Sequence, residues 1–361
     1  MKRTLLIAIC LLAGILLAGT ATAKPKHKAK VDKDFFGVMA VDPSNDDYDR
    51  MADTGFGVSR FELSWGAIQT TREGPYNWSY ADARMIQIAK AGMEPSVIVY
   101  GTPRFVRKNA DGFYPPTNSS QNMQEWKDFL QAAVHRYGPD GDFWDALPDI
   151  PKSPIHKWLI WNEQNARAFW KPRPDPADYA KLVKASSQAI REKDPKADIV
   201  LGGMYGYPSG DHRSMTAVAF LKKFYKTKNI AKSFDAINVH PYGSGVSTVR
   251  KQIAQARSVA KKAGDGNVDV LVGELGWASS GPSKSEEVVG KKGQATRLRK
   301  GLKMLVQNRK KWNILGAYVY LWNDFTMPTS CLWCPRAGLV DLKGNAKPAL
   351  KAVRQVIKSS S

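Results

Sequence analysis

The stretch KWLIWNEQN (157–165) runs apolar and strand-like to Trp161, then stops at Asn162 and Glu163 with two more amides behind them. A carboxylate at the edge of a core is costly unless it is hydrogen-bonded or left wet, so the stretch is either a surface turn or a site. Seven further runs share its character: FFGVMAV (35–41), GVSRFEL (57–63), PSVIVYG (95–101), DIVLGG (198–203), FDAINVH (234–240), DVLVGE (269–274) and GAYVYLWN (316–323). Amphipathic helical patterns lie between them, among them YADARMIQIAKAG, MQEWKDFLQAAVHRYG and DPADYAKLVKASSQAIREKD. Asp175 with Pro176 signals a helix start, and Gly92 and Gly264 signal ends. Strands alternating with helices mean βαβ units and a parallel sheet. Eight such units predict a single-domain (β/α)8 TIM barrel over 35–361. A doubly wound open sheet is the alternative, but no GxGxxG follows the first run.

The first 23 residues, MKRTLLIAICLLAGILLAGTATA, have the layout of a secretory signal peptide cut after Ala23. An uncleaved membrane anchor is the other reading of the apolar run, and Gly14, Gly19, Thr20 and the A-T-A triplet favour cleavage. Residues 24–34, KPKHKAKVDKD, read as a basic, disordered tether. The expected product is secreted or associated with the cell envelope, monomeric, and without stable membrane insertion. In that setting Cys331 and Cys334, the two cysteines left after cleavage, are expected to pair locally. A redox CxxC motif and a zinc site are the competing readings; the first should open a helix in a thioredoxin-like unit, and the second needs four ligands.

The formal net charge of +21 implies attraction to anionic surfaces. It could be a plain soluble surface, or serve an anionic glycan or the cell envelope. No zinc-finger, KH or RRM signature supports a nucleic-acid partner, and the five histidines are scattered without metal-ligand spacing. No metal or cofactor is expected.

In a barrel, the site forms where the strands end. Arg60 lies in the second run with Trp65 after it, and Asn162 and Glu163 finish the fourth. His240 and Tyr242 finish the sixth, Glu274 the seventh with Trp277 beyond, and Trp322 the eighth. Glu163 and Glu274 are 111 positions apart, about 37 per unit over three units, as one barrel unit needs. Two carboxylates can thus meet over one mouth, which glycosidic cleavage requires: an acid for the leaving oxygen and a carboxylate to attack or to activate water. Aromatic rings suit the apolar faces of sugars.

This combination of Asn162-Glu163, Glu274, Arg60, Tyr242 and Trp322 resembles the clan A retaining glycoside hydrolases, over essentially the whole chain after residue 34. YGTPRFV (100–106) and IWNEQN are similar to members of families 39 and 5, although many relatives have Pro where this chain has Gln164. The resemblance implies that Glu163 is the acid/base and Glu274 the nucleophile. It further implies that Asn162 bonds the sugar 2-hydroxyl and that Arg60 and Tyr242 hold Glu274. Substrate contacts are then expected from Arg60, Trp65, Asn162, His240, Tyr242, Trp277 and Trp322.

Each residue also has a plainer reading. Arg60 could fill the barrel, Trp322 could cap it, His240 could be a satisfied core histidine, and Trp65, Trp277 and Trp333 could be packing. Glu62 and Asp324 are competing carboxylates. Loops 101–121 and 166–176 would wall a cleft with Phe105, Tyr114, Phe169 and Trp170. The carbohydrate-directed alternative to an enzyme is a non-catalytic glycan-binding barrel of the cell envelope.

Overall fold

The computed structural model describes residues 30–106, 112–207 and 212–361. The expected signal peptide (1–23) and residues 24–29 of the tether lie outside these described residues. Nine strands form one sheet: β1 (Phe36–Met39), β2 (Val58–Ser64), β3 (Glu94–Tyr100), β4 (Lys157–Ile160), β5 (Asp198–Leu201), β6 (Met204–Tyr205), β7 (Ala236–His240), β8 (Asp269–Leu275) and β9 (Ile314–Val319). Neighbours run parallel in the order β5-β4-β3-β2-β1-β9-β8-β7-β6, and β5 also pairs with β7. That pairing closes the sheet. β5 and β6 are one stave interrupted at Gly202-Gly203, so the barrel has the eight staves expected.

Helices cover it outside: α1 (Asn45–Thr54), α2 (Trp65–Ile68), α3 (Ser79–Lys90), α4 (Ser120–Tyr137) and α5 (Asp142–Asp145) in the first half. α6 (Pro176–Arg191), α7 (Ala217–Phe224), α8 (Val246–Lys262), α9 (Gly290–Trp312) and α10 (Pro348–Lys358) complete the ring. Asp175 caps α6 through the N–H groups of Ala177 and Asp178, satisfying donors a helix start leaves free. Gly92 and Gly264 take left-handed φ values of 66° and 86° just beyond α3 and α8, a conformation that glycine adopts without penalty.

The barrel interior is filled by Val58, Ile98, Leu159, Val200, Ala236, Leu271 and Tyr318. A larger apolar shell joins strands to helices. Because both faces of each strand are covered, β8 is buried from Val270 to Leu275, the continuous apolar pattern of a parallel sheet rather than an alternating one. None of the described helices is long and apolar enough to cross a membrane.

Three boundaries differ from the sequence reading. Val31 is buried and its N–H donates to Ser360 O at 2.8 Å, and Lys33–Phe35 form a 3-10 turn. Residues 31–34 of the stretch read as tether are therefore part of the fold; the apolar Val31 supplies the burial that its charged neighbours do not. The fourth run leaves the sheet after Ile160, because Trp161 and Glu163 adopt φ values of 71° and 44°. The eighth strand ends at Val319, with Tyr320 at the rim.

Candidate active site

Glu274, on β8, is the centre of the best-satisfied group. Arg60, on β2 and 1% exposed, donates from Nη2 to Glu274 Oε1 at 2.5 Å, and the Tyr242 hydroxyl donates to Oε2. His240, the last residue of β7 and fully buried, places Nδ1 2.9 Å from Glu163 Oε1 and 3.4 Å from Glu274 Oε2. One donor atom each from Glu163, His240 and Glu274 lies within 4.8 Å of the others. The fold thus gathers Arg60, Glu163, His240, Tyr242 and Glu274 at one end of the barrel.

The environments of the two carboxyls push them apart. Burial raises the Glu163 carboxyl and the nearby charge of Glu274 raises it further; the His240 hydrogen bond opposes this without reversing it. Burial also acts to raise Glu274, but the charges of His240 and Arg60 and the bonds from Tyr242 and Arg60 outweigh it and hold the group below the ordinary carboxylate range. Two titratable groups separated this way are suited to opposite roles, one proton donor and one anion.

IWNEQN owes its amides to the turn that sets this geometry. Gln164, buried, donates to Gly202 O at 2.9 Å. Asn165 donates to Tyr205 O and Met215 O and accepts from Tyr205 N. Both amides tie the end of β4 to the next stave. The glycines there are needed for close approach: a Cβ on Gly202 would stand 2.3 Å from Gln164 Oε1, and one on Gly203 only 1.8 Å from His240 Nε2. With Gly203 O accepting from Glu163 N–H at 2.8 Å, Glu163 is held in a left-handed conformation that costs a non-glycine residue about 1–3 kcal/mol. Asn162 stands beside it with a buried Oδ1 that has no hydrogen-bond partner among the described residues.

The three tryptophans expected to touch substrate do not reach the mouth. Trp65 is buried against Phe105, Trp126 and Phe129, with its N–H on Gln69. Trp277 is buried and donates to Gly243 O. Trp322 donates to Asp47 and lies under the Arg50 guanidinium. The eighth strand ends earlier than the apolar pattern suggested, so Tyr320 takes the rim position assigned to Trp322. Asp324 is likewise removed from the site by a buried ion pair with Lys347 at 2.6 Å. Trp170 is core, packed on Trp161 and Tyr179, rather than cleft wall.

Other residues replace them. Tyr320 and Trp333 pack on Tyr242, with centroids 6.0 and 4.8 Å away. Trp333 is carried by the loop that the Cys331–Cys334 disulfide closes. Tyr100, Phe113 and Phe169 form an aromatic row on the β3–β4 side. Glu62, two residues after Arg60 on the same inward face, accepts from the Tyr100 hydroxyl at 2.6 Å. Burial raises its carboxyl too. It also lines a pocket of about 390 Å³ with Ser64, Asn77, Ser79 and Tyr80. The CLWC spacing pointed at the loop that carries Trp333; nothing in the sequence distinguished Tyr320 from Trp322.

The trio Glu163, His240 and Glu274 has the residue types of a metal site, which the scattered sequence positions had not suggested. Its chemistry argues otherwise: both Glu274 oxygens already accept from Arg60 and Tyr242, and a guanidinium 2.5 Å from the carboxylate repels a second cation.

No protein-family model matches the chain. Solved structures match its fold. A monomeric beta-xylosidase from Caulobacter crescentus CB15 is 16% identical with a TM-score of 0.67, covering 90% of this chain and 68% of that one. A family 39 glycoside hydrolase from the gut symbiont Bacteroides cellulosilyticus WH2 is 18% identical with a TM-score of 0.66, over 91% of this chain and 64% of that one. A GH5_18 from Bifidobacterium longum subsp. infantis is 15% identical with a TM-score of 0.65, over 90% and 78%. This chain therefore spans about two thirds of the length of the first two, and shares with all three the parallel eight-stave barrel.

Proposed function

We propose that the protein is a secreted glycoside hydrolase that cleaves β-linked oligo- or polysaccharides with retention of configuration. One observation carries the reading: a part-buried and a buried carboxyl, Glu163 and Glu274, have oxygens within 4.8 Å of one another at the mouth of the barrel while their surroundings favour opposite protonation states. Retaining glycosidases hold their carboxyls about 5–5.5 Å apart, whereas inverting ones need about 6.5–9.5 Å to admit water between them. The glycoside hydrolases that share the fold support the same reaction class.

In the first step Glu274 attacks the anomeric carbon, the bond from that carbon to the leaving oxygen breaks, and Glu163 gives its proton to that oxygen. Arg60 and Tyr242 aim the attacking carboxylate and keep it ionised. Once Glu274 is esterified its negative charge is gone, and with it one of the influences that raises Glu163. Glu163 then accepts a proton from water as the water oxygen attacks the same carbon, releasing sugar and restoring the Glu274 carboxylate. Asn162 Oδ1, buried and unpartnered, accepts a hydroxyl of the bound sugar; an unmatched buried acceptor costs about 1–3 kcal/mol, so the site is completed by substrate. Tyr320, Trp333 and the Tyr100–Phe113–Phe169 row offer ring faces. With Glu62, Glu163 and Glu274 gathered around a single arginine, the mouth suits neutral sugars better than uronates.

The test is hydrolysis of a panel of aryl glycosides and neutral polysaccharides by wild type and Glu274→Ala. Cleavage by the wild type alone supports the reading. Background cleavage by both, with glycan binding retained, would establish a binding barrel instead.

A further inference from the structure

The positive charge of the chain is unevenly distributed around the barrel. α9 packs against both α8 and α10, and the three carry five, nine and three lysines or arginines with no aspartate or glutamate among them. By contrast, α1, α3, α4 and α5 hold nine acidic residues against five basic ones. Fourteen of the seventeen cations are exposed, and none of those fourteen forms a salt bridge among the described residues.

Folding does not account for this arrangement. Basic residues in a last turn complement the helix dipole, which covers Lys261, Lys262, Lys310, Lys311 and Lys358. Lys291 and Lys292 sit in the first turn of α9, where positive charge opposes the dipole. Arg299 and Lys303 are like charges one turn apart, an arrangement that destabilises a helix. Nor does the catalytic mouth use them, since the cation that pairs with its carboxylates is Arg60.

The wall has the form of a surface rather than a groove. α9, with 23 residues, is about 35 Å long. Among the described residues the exposed large apolar side chains are Tyr80, Tyr207, Met327, Leu332 and Leu342, all outside these helices; the one ring near the surface of the wall, Trp312, is half-buried under the Arg250 guanidinium, so the wall lacks a row of open rings on which unpaired bases could stack. The described chain begins beside it, where Val31 N–H donates to Ser360 O just after α10. In the sequence, Lys24, Lys26, Lys28 and Lys30 precede that point. Lysines that lead in sequence into a basic face add to what attracts an anionic leaflet.

We infer that the α8–α9–α10 wall docks the protein electrostatically on the surface of an anionic lipid bilayer, leaving the catalytic mouth free.

The experiment is co-sedimentation of the full chain with phosphatidylcholine vesicles and with vesicles of three parts phosphatidylcholine to one part phosphatidylglycerol. The comparison is between wild type and K291E/K292E/K300E/K303E, with the same four positions changed to Gln as a second variant. An apolar leader contributes equally to all proteins and both vesicles, so the phosphatidylglycerol-dependent difference isolates the wall. Wild type should bind the anionic vesicles at least about tenfold more tightly and lose the difference in about 0.5 M salt. Both variants should lose most of it while melting like wild type. Equal binding to the two vesicle types, or an undiminished difference in a folded variant, overturns the inference. So does displacement from anionic vesicles by duplex DNA or a soluble polyuronate at matched charge, which would assign the wall to another polyanion.

Discussion

His240 Nδ1 lies 2.9 Å from Glu163 Oε1 and 3.4 Å from Glu274 Oε2, so one imidazole borders both carboxyls. Turnover needs Glu274 ionised and Glu163 protonated. Activity should fall as pH drops through the lowered Glu274 value and fall again as pH rises through the raised Glu163 value, giving a bell. His240 lowers both groups; His240→Ala should therefore move both limbs of kcat/KM to higher pH. A profile that narrows or moves to lower pH would show that the imidazole acts in another way.

Glu163 should also show itself in stability. Its raised carboxyl means that its favourable contribution is complete below the unfolded value of about 4.3 and is lost as pH rises through the folded value. Glu163→Gln removes that loss, so it should gain on wild type by an amount of order 1 kcal/mol near neutral pH, with the gain vanishing near pH 4 in thermal melts. The same substitution should slow hydrolysis by roughly 10²–10⁴, most severely for substrates with poor leaving groups.

Much of this was legible in KWLIWNEQN and its seven companions, because a parallel barrel buries both strand faces and each stave reads as a short apolar run. The carboxyl pair followed from counting staves. The tryptophans did not, and the reason is physical: a large apolar ring near a strand end is equally at home in the shell behind the barrel, where Trp65, Trp277 and Trp322 lie. The eighth strand ends at Val319, so Tyr320 rather than Trp322 stands at its rim. The role of Gln164 and Asn165 as pegs for the left-handed turn depends on carbonyls of the next stave, some 40 residues away, which no local pattern encodes.

Gly203 should be intolerant of a side chain. A methyl group 1.8 Å from His240 Nε2 must displace either the ring or the turn that carries Glu163. Gly203→Ala is expected to cost about 1–3 kcal/mol in melting experiments and to lower kcat roughly tenfold to a hundredfold through misplacement of the acid. Wild-type kcat in a folded Gly203→Ala protein would refute the positioning role.

The disulfide should matter through Trp333. Cys331→Ser with Cys334→Ser frees the loop that presses Trp333 on Tyr242, the donor to Glu274. We expect kcat/KM to fall roughly tenfold. Dithiothreitol should reproduce the loss in wild type and have no effect on the double serine variant, which a steady-state assay reads directly.

The most direct test of the carboxyl pair is the stereochemistry of the first sugar released, followed by proton NMR before mutarotation. A β-glycoside substrate should yield the β-anomer first, as double displacement through Glu274 requires. Initial release of the α-anomer would mean that water attacks directly, and would contradict the assignment of Glu274 as nucleophile.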